Sequence, residues 1–263
     1  MNHQHKQQKI SLILLTKNES TRIQSNFNWL KKCNIINELV LVDDYSTDTT
    51  ITQIKKLKSK NLNIKIFHQH LNQNFSLQRQ FAIKQTTNNW VLWLDADETP
   101  SPQFIKFLNQ FNFPKNINAF SFKRQDKFLG QQLKHGETAH LYFTRLFNKN
   151  KGNFSGAVHE IWHSRGVVQK KSLTIYHQPH QNLTQLLKKI NFYTDIRSKQ
   201  LFQQKQKTNL FQIIFYPTAK FIQNYFFRLG FLDSTPGIII ALSMSLHSFL
   251  VRAKLWQLQQ SSA

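Results

Sequence analysis

Asp95, Asp97 and Glu98 stand directly behind a hydrophobic run in WVLWLDADETPS (residues 90–101), in a chain that otherwise avoids acids. The 263 residues carry 13 Asp and Glu against 35 Lys and Arg, a formal net charge of +22. Eight of the acids fall into four short clusters: Glu19; Asp43, Asp44 and Asp48; Asp95, Asp97 and Glu98; and Glu160. In an extended segment residues i and i+2 face the same way, so Asp95 and Asp97 are expected to point at one ligand. Two carboxylates that close repel each other unless a cation or a shared proton relieves them. A hard divalent ion, Mn2+ or Mg2+, does so and brings phosphate oxygens with it. The competing expectation is structural, with the D-x-D merely capping a helix that starts at Ser101 and Pro102.

The elements needed to position these acids can be read from the same sequence. Strands are expected at 10–16 (ISLILLT), 37–43 (NELVLVD), 63–68 (NIKIFH) and 90–95 (WVLWLD), with helices at 19–33, 48–59 and 76–87. Strands alternating with helices indicate βαβ units and a parallel sheet covered on both faces. Ligands of such sheets bind beyond the carboxyl ends of the strands. Glu19, Asp43, Asp44, Asp95 and Asp97 all fall there, so three clusters distant in sequence should meet on one edge. Beyond residue 115 the runs at 119–129, 140–147 and 167–177 read as antiparallel strands, and from about 181 the chain reads as helical. The expected division is one domain over 1–180 and a helical region over 181–263.

An apolar run followed by D-x-D-x-T also suits the nucleophile loop of haloacid-dehalogenase-like phosphatases. That site needs a further pair of metal-binding acids downstream. After Glu98 only Asp126, Glu137, Glu160, Asp195 and Asp233 remain, no two of them adjacent. Nor would it explain Asp43 and Asp44.

SLILLTKNES, ELVLVDDYSTDTT, WVLWLDADE and SGAVHE, in this order and spacing, resemble a family 2 glycosyltransferase of the GT-A fold. Among its members the chain is most similar in character to the lipooligosaccharide and lipopolysaccharide core β-1,4-glucosyltransferases. The resemblance runs over residues 10–180 and fades in the C-terminal helices. It implies an α/β fold with a Rossmann-like, mainly parallel sheet, a nucleotide-sugar donor, usually UDP-linked, and inversion at the anomeric carbon. Thr16 and Glu19 would line the nucleotide pocket, Asp43 or Asp44 would bond the base, Asp95 and Asp97 would hold metal and ribose, and Glu98 would support them. Arg79 and Lys17 are candidates for the diphosphate. Asp48 suits a cap on the helix that follows it.

Direct displacement also needs a carboxylate across the sugar from the leaving diphosphate. Glu160 is the candidate, since the family carries a His-Glu pair there, Asp195 and Asp233 fall in the helical tail, and Asp126 and Glu137 read as exposed loop residues. His159 beside it is a candidate metal ligand or orienter. Two departures stand out. Tyr45 replaces the family's glycine after the paired Asp, and FLDSTPG replaces the commoner Asp-Gly pattern around Asp233.

The positive charge speaks to partners rather than to fold. Nucleic acid would suit it, but four ordered acid clusters would repel phosphate, so no nucleic acid is expected. A lipid-linked saccharide acceptor at an anionic membrane surface fits better, with the aromatic helices at the interface. The single cysteine, Cys33, suits a reducing compartment, and the N-terminus lacks the features of a signal peptide, so a cytoplasmic or peripheral location is expected. GIIIALSMSLHSFLV (237–251) reads as too short to span a bilayer.

Overall fold

The computed structural model describes residues 8–57, 62–72, 74–137, 139, 141–155, 161–179 and 182–261. Four parallel strands open the chain: β1 (Ile10–Thr16), β2 (Ile36–Asp43), β3 (Asn63–His68) and β4 (Trp90–Asp95), laid in the order β3-β2-β1-β4. Their connections carry α1 (Ser20–Phe27), α2 (Thr50–Lys55) and α3 (Phe75–Lys84). β1 and β2 are continuous apolar runs because both sheet faces are covered. Ile10, Leu12, Ile13 and Leu14 of β1 and Leu39, Val40, Leu41 and Val42 of β2 have no exposed surface. The expected helix at 19–33 ends early, at Phe27, and continues as a 3-10 turn over Asn28–Lys32.

The sheet is then extended through antiparallel pairings, and a separate two-stranded sheet is added. β5 (Glu98–Pro100) and α4 (Pro102–Asn109) come first, then β6 (Ala119–Phe128), β7 (Gln131–Gln132), β8 (Tyr142–Asn148), the hairpin β9 (Gly152–Ser155) and β10 (Ile161–Ser164), and β11 (Val168–His177). β8 pairs antiparallel with β4 and with β6, and β11 pairs antiparallel with β5, as the sequence predicts for this half. Helix α4 starts where Ser101 Oγ accepts the Phe104 amide and Pro102 takes the first turn, so Ser101, not the D-x-D, is its cap.

Two compact units divide the chain: residues 1–124 with 142–177, and 125–141 with 178–263. The first holds the sheet. Its main core joins Leu12, Leu14, Leu39, Leu41, Leu92 and Leu94 to Phe104, Phe120 and Phe122. Cys33 lies in the same core, 1% exposed, and burial pushes its thiol up to about 11. An acid at the amino end of the strands, Glu38, is fully committed: Ser11, Lys65 and the Thr87 amide all bond it.

The second unit is built from α5 (Leu183–Gln203), α6 (Leu210–Ile222) and α7 (Ser234–Gln260), with α7 packed on the other two. A π-helical turn (Gln223–Phe227) and a 3-10 turn (Gly230–Asp233) join α6 to α7. Asp233, buried, accepts from the His135 backbone and faces its Nδ1 at 2.9 Å, while Glu137 pairs with Lys220 at 2.7 Å. Gly237 lies so close to the Gly230 carbonyl that a Cβ there would meet it at 2.0 Å. Two expectations are corrected here. Asp126 is buried on β6 rather than exposed in a loop. The apolar run at 237–251 belongs to a longer helical stretch, Gly230–Gln260, that is long and apolar enough to cross a membrane by length and composition.

Candidate active site

Strand register brings the acid clusters together. In the parallel pairs Thr16 stands opposite Asp43 and Leu15 opposite Asp95, so β2, β1 and β4 all end at one level. Thr16 Oγ1 bonds Asp43 at 2.9 Å, and the Asp44 amide bonds the Thr16 carbonyl. Asp43 has no exposed surface and is held further by Ser46, whose amide bonds it at 2.7 Å. Asp44, 7% exposed, pairs with Lys17 at 2.7 Å and accepts from His70 and the Leu71 amide. Against its burial penalty, these partners hold the Asp44 carboxyl below the usual range. Tyr45 follows with φ of 51°, its ring stacked on His70 at 4.2 Å. Lys17 thus meets a carboxylate of the protein.

Asp48 caps two helices at once. It accepts from the Thr50 amide of α2 at 2.9 Å and from the Ser20 amide of α1 at 3.1 Å. Against its burial penalty these bonds together hold its carboxyl at about 2. Glu19 lies 3.7 Å from Arg22, and Arg22 reaches Asp97 at 3.9 Å, which links the first cluster to the third. Asn26 adds a bond to the Ala96 carbonyl.

The D-x-D is not one extended segment. β4 ends at Asp95, and Ala96 and Asp97 form a turn before β5, so the two carboxylates meet different partners. Asp95 takes Arg79 and Trp93 Nε1 on one oxygen, at 3.1 and 3.2 Å, and Arg145 on the other, at 3.0 Å. Both guanidiniums also stack over the Trp93 ring, at 3.5 and 3.9 Å. Such cation–π contacts contribute about 1 kcal/mol or more when desolvated. Burial alone would raise the Asp95 carboxyl; the guanidiniums of Arg79 and Arg145 overcome this and hold it well below the usual range. Arg79, expected at the diphosphate, is spent on Asp95 and Trp93 in this structure.

Glu98 has no exposed surface, bonds the Asp95 amide at 3.1 Å and pairs with Arg145, so it fixes the turn that presents Asp97. Burial pushes its carboxyl up, with Arg145 opposing.

Asp97 instead meets His177, whose Nε2 lies 3.4 Å from its Oδ2. His177 is the last residue of β11, placed there because β11 returns antiparallel on β5 with His177 opposite Glu98. A carboxylate oxygen and an imidazole nitrogen this close could share an ion such as Mn2+, while the harder Mg2+ would rest on the carboxylate; either completes its shell with phosphate oxygens and water. Asp95 does not suit that role here, since both of its oxygens are occupied by cations. Among the described residues no three His, Cys, Asp or Glu gather as a metal site. His159 and Glu160 lie outside the described residues.

A family model, Glycosyl transferase family 2, matches residues 11–171, the span that carries all four acid clusters. The chain belongs to glycosyl transferase family 2. It is 28% identical to an uncharacterized glycosyltransferase of Rickettsia conorii over 97% of this chain and 91% of that protein. It is 23% identical to the lipopolysaccharide core biosynthesis glycosyltransferase LpsC of Rhizobium meliloti over 94% of this chain and 92% of that one. Among solved structures it is similar to Staphylococcus aureus TarS (residues 1–349) in complex with UDP-GlcNAc. That match has a TM-score of 0.51 at 16% identity and covers 96% of this chain and 92% of that one. A mannosyltransferase of Pyrobaculum calidifontis, in complex with GDP-Man and Mn2+, gives a TM-score of 0.54 at 12% identity, over 94% and 86% of the two chains. The protein is a glycosyltransferase with a GT-A fold, and the phosphatase expectation falls away.

Arg145 and His177 are among the site residues that sequence reasoning missed. Each sits on a strand that was expected, β8 and β11, but neither carried a motif to single it out.

Proposed function

We propose that this glycosyltransferase inverts the configuration of a hexose, glucose, as it moves the sugar from UDP to a lipid-linked saccharide of the lipopolysaccharide core type. The observation that carries the reading is the edge where Asp43 ends β2, with Asp44 next to it, and Asp95 ends β4, with Asp97 in the turn that follows and His177 beside Asp97. Thr16, Glu19 and the Asp43–Asp44 pair would receive the nucleoside. Asp97 would hold Mn2+ together with His177, or Mg2+ on its carboxylate. The ion would neutralise charge on the leaving diphosphate. Asp95, locked between Arg79 and Arg145, would position Trp93 and the turn, and leave its exposed edge toward the ribose. Glu160 would take the proton of the acceptor hydroxyl.

The acceptor class draws support from the likeness to LpsC along nearly the whole chain. The second unit supports work at a membrane. Between residues 182 and 261 ten Lys and Arg accompany two Asp. In the same span Leu210, Phe211, Ile214 and Phe215 of α6 are each more than half exposed, and Phe227 is 81% exposed. Leu242, Leu246, Phe249 and Trp256 add an outward stripe at helical spacing on α7. Apolar surface facing outward among cations suits an anionic bilayer at the cytoplasmic face.

A thermal-shift panel of UDP, GDP and ADP, with and without Mn2+, tests the donor side. UDP with Mn2+ should raise the melting temperature most, and Asp97→Asn or His177→Ala should abolish the metal-dependent part while leaving the apo value within a few degrees. A UDP shift that ignores Mn2+ and both substitutions would remove the metal assignment. No nucleotide shift at all would remove the donor reading.

A further inference from the structure

Tyr45 is held in a backbone conformation that a tyrosine disfavours and leaves half its ring in solvent. Its φ is 51° and its exposure 51%. A side chain in the left-handed region crowds its own backbone, a strain glycine escapes. The turn is held in place on both sides: Ser46 bonds Asp43, and the Leu71 amide and His70 bond Asp44. The Tyr45 ring lies on His70 at 4.2 Å with planes 28° apart, and His68 stands at 5.6 Å. The imidazoles are themselves anchored, His70 on Asp44 at 3.3 Å and His68 on Asp43 at 3.5 Å. The result is an aromatic plate, stacked on His70 and half exposed, directly beside the carboxylates at the end of β2. Strained, exposed aromatic residues of this kind gain little from packing and are retained at sites of binding.

We propose that Tyr45, backed by His70, is a stacking shelf for the nucleobase of the sugar donor and so a donor-binding residue of this enzyme. The inference rests on the donor reading above and deepens it. A planar base suits the place twice over: it offers a π-face to the ring and an N–H group to Asp44, the less enclosed of the two carboxylates. Stacking alone accepts any base, so the shelf contributes affinity for the nucleoside, and Asp44 chooses among bases.

Isothermal titration with UDP and with pyrophosphate, both in Mn2+, separates the shelf from the rest of the site. Tyr45→Gly should weaken UDP binding by about 5- to 150-fold, the range of one lost base–aromatic stack. Pyrophosphate affinity should stay within about twofold, and Tyr45→Phe should restore UDP binding. The melting temperature of the Gly variant should stay level or rise, because the strain is relieved. UDP binding indifferent to Tyr45→Gly would overturn the shelf alone. Equal weakening of UDP and pyrophosphate, or a clear fall in melting temperature, would make Tyr45 a prop for the turn and overturn it too. If no nucleotide binds the wild-type protein, the donor reading and the shelf both fall.

Discussion

Glu160 carries the proton-transfer part of the proposed reaction, and binding and chemistry can be separated at this one side chain. Glutamine keeps its shape and hydrogen bonding but takes no proton, so Glu160→Gln should lower turnover by about 10²–10⁴-fold with donor affinity unchanged. Single-turnover transfer alongside a donor titration checks this; near-normal turnover would exclude the residue. At this scale the sequence spoke through scarcity. With 13 acids in the chain, a cluster of three is conspicuous, and Asp43, Asp44, Asp48 and Asp97 could be picked out by type and position. Arg145 and His177 could not. Among 35 Lys and Arg and 11 His, one more basic residue on a strand gives no signal until the antiparallel pairing shows what it faces. The i, i+2 argument failed for a related reason: it assumed that Asp97 continues the strand, whereas Glu98, drawn into the core by Arg145, ends β4 with a turn.

Elements were more legible than contacts. The strands at 10–16 and 90–95 agree to the residue, because a strand buried on both faces is written as a largely apolar run, and 63–68 agrees as well although NIKIFH is only partly buried. Short strands of polar composition, β5 and the β9–β10 hairpin, have no such pattern and went unread. Helix ends were misjudged where cooperative α-helix gives way to a tighter turn, as after Phe27. The junction before α7 offers a test at this level. A methyl group at Gly237 would meet the Gly230 carbonyl and Asp233 Cβ, so Gly237→Ala should destabilise the helical unit by about 1–3 kcal/mol. Its thermal unfolding, compared with wild type, reads that cost. An unchanged transition would mean that the 3-10 turn yields freely.

For the whole molecule, charge and exposed aromatic surface are expected to act together. The protein should co-sediment with anionic vesicles at low salt and lose much of that binding at high salt, since exposed charge is screened within a Debye length of about 8–10 Å at 0.10–0.15 M. Phe211→Ser with Phe227→Ser should weaken binding at every salt concentration, because it removes inserted apolar area and leaves the charge unchanged. Equal binding to neutral and anionic vesicles would remove the electrostatic part. Failure to bind either would leave the exposed stripe without this partner. That the molecule carries this pattern was visible in its composition, but which aromatics face outward was not, because hydrophobicity alone does not tell a core face from a lipid face.

Cys33 offers one more use of the fold. The chain has a single thiol, sealed in the sheet core and held far from its reactive, deprotonated form. A dye or spin label added at neutral pH would therefore pass it by while the protein is folded. An engineered surface cysteine could then be tagged alone, without first mutating the native one, and Cys33 would react only when the core opens.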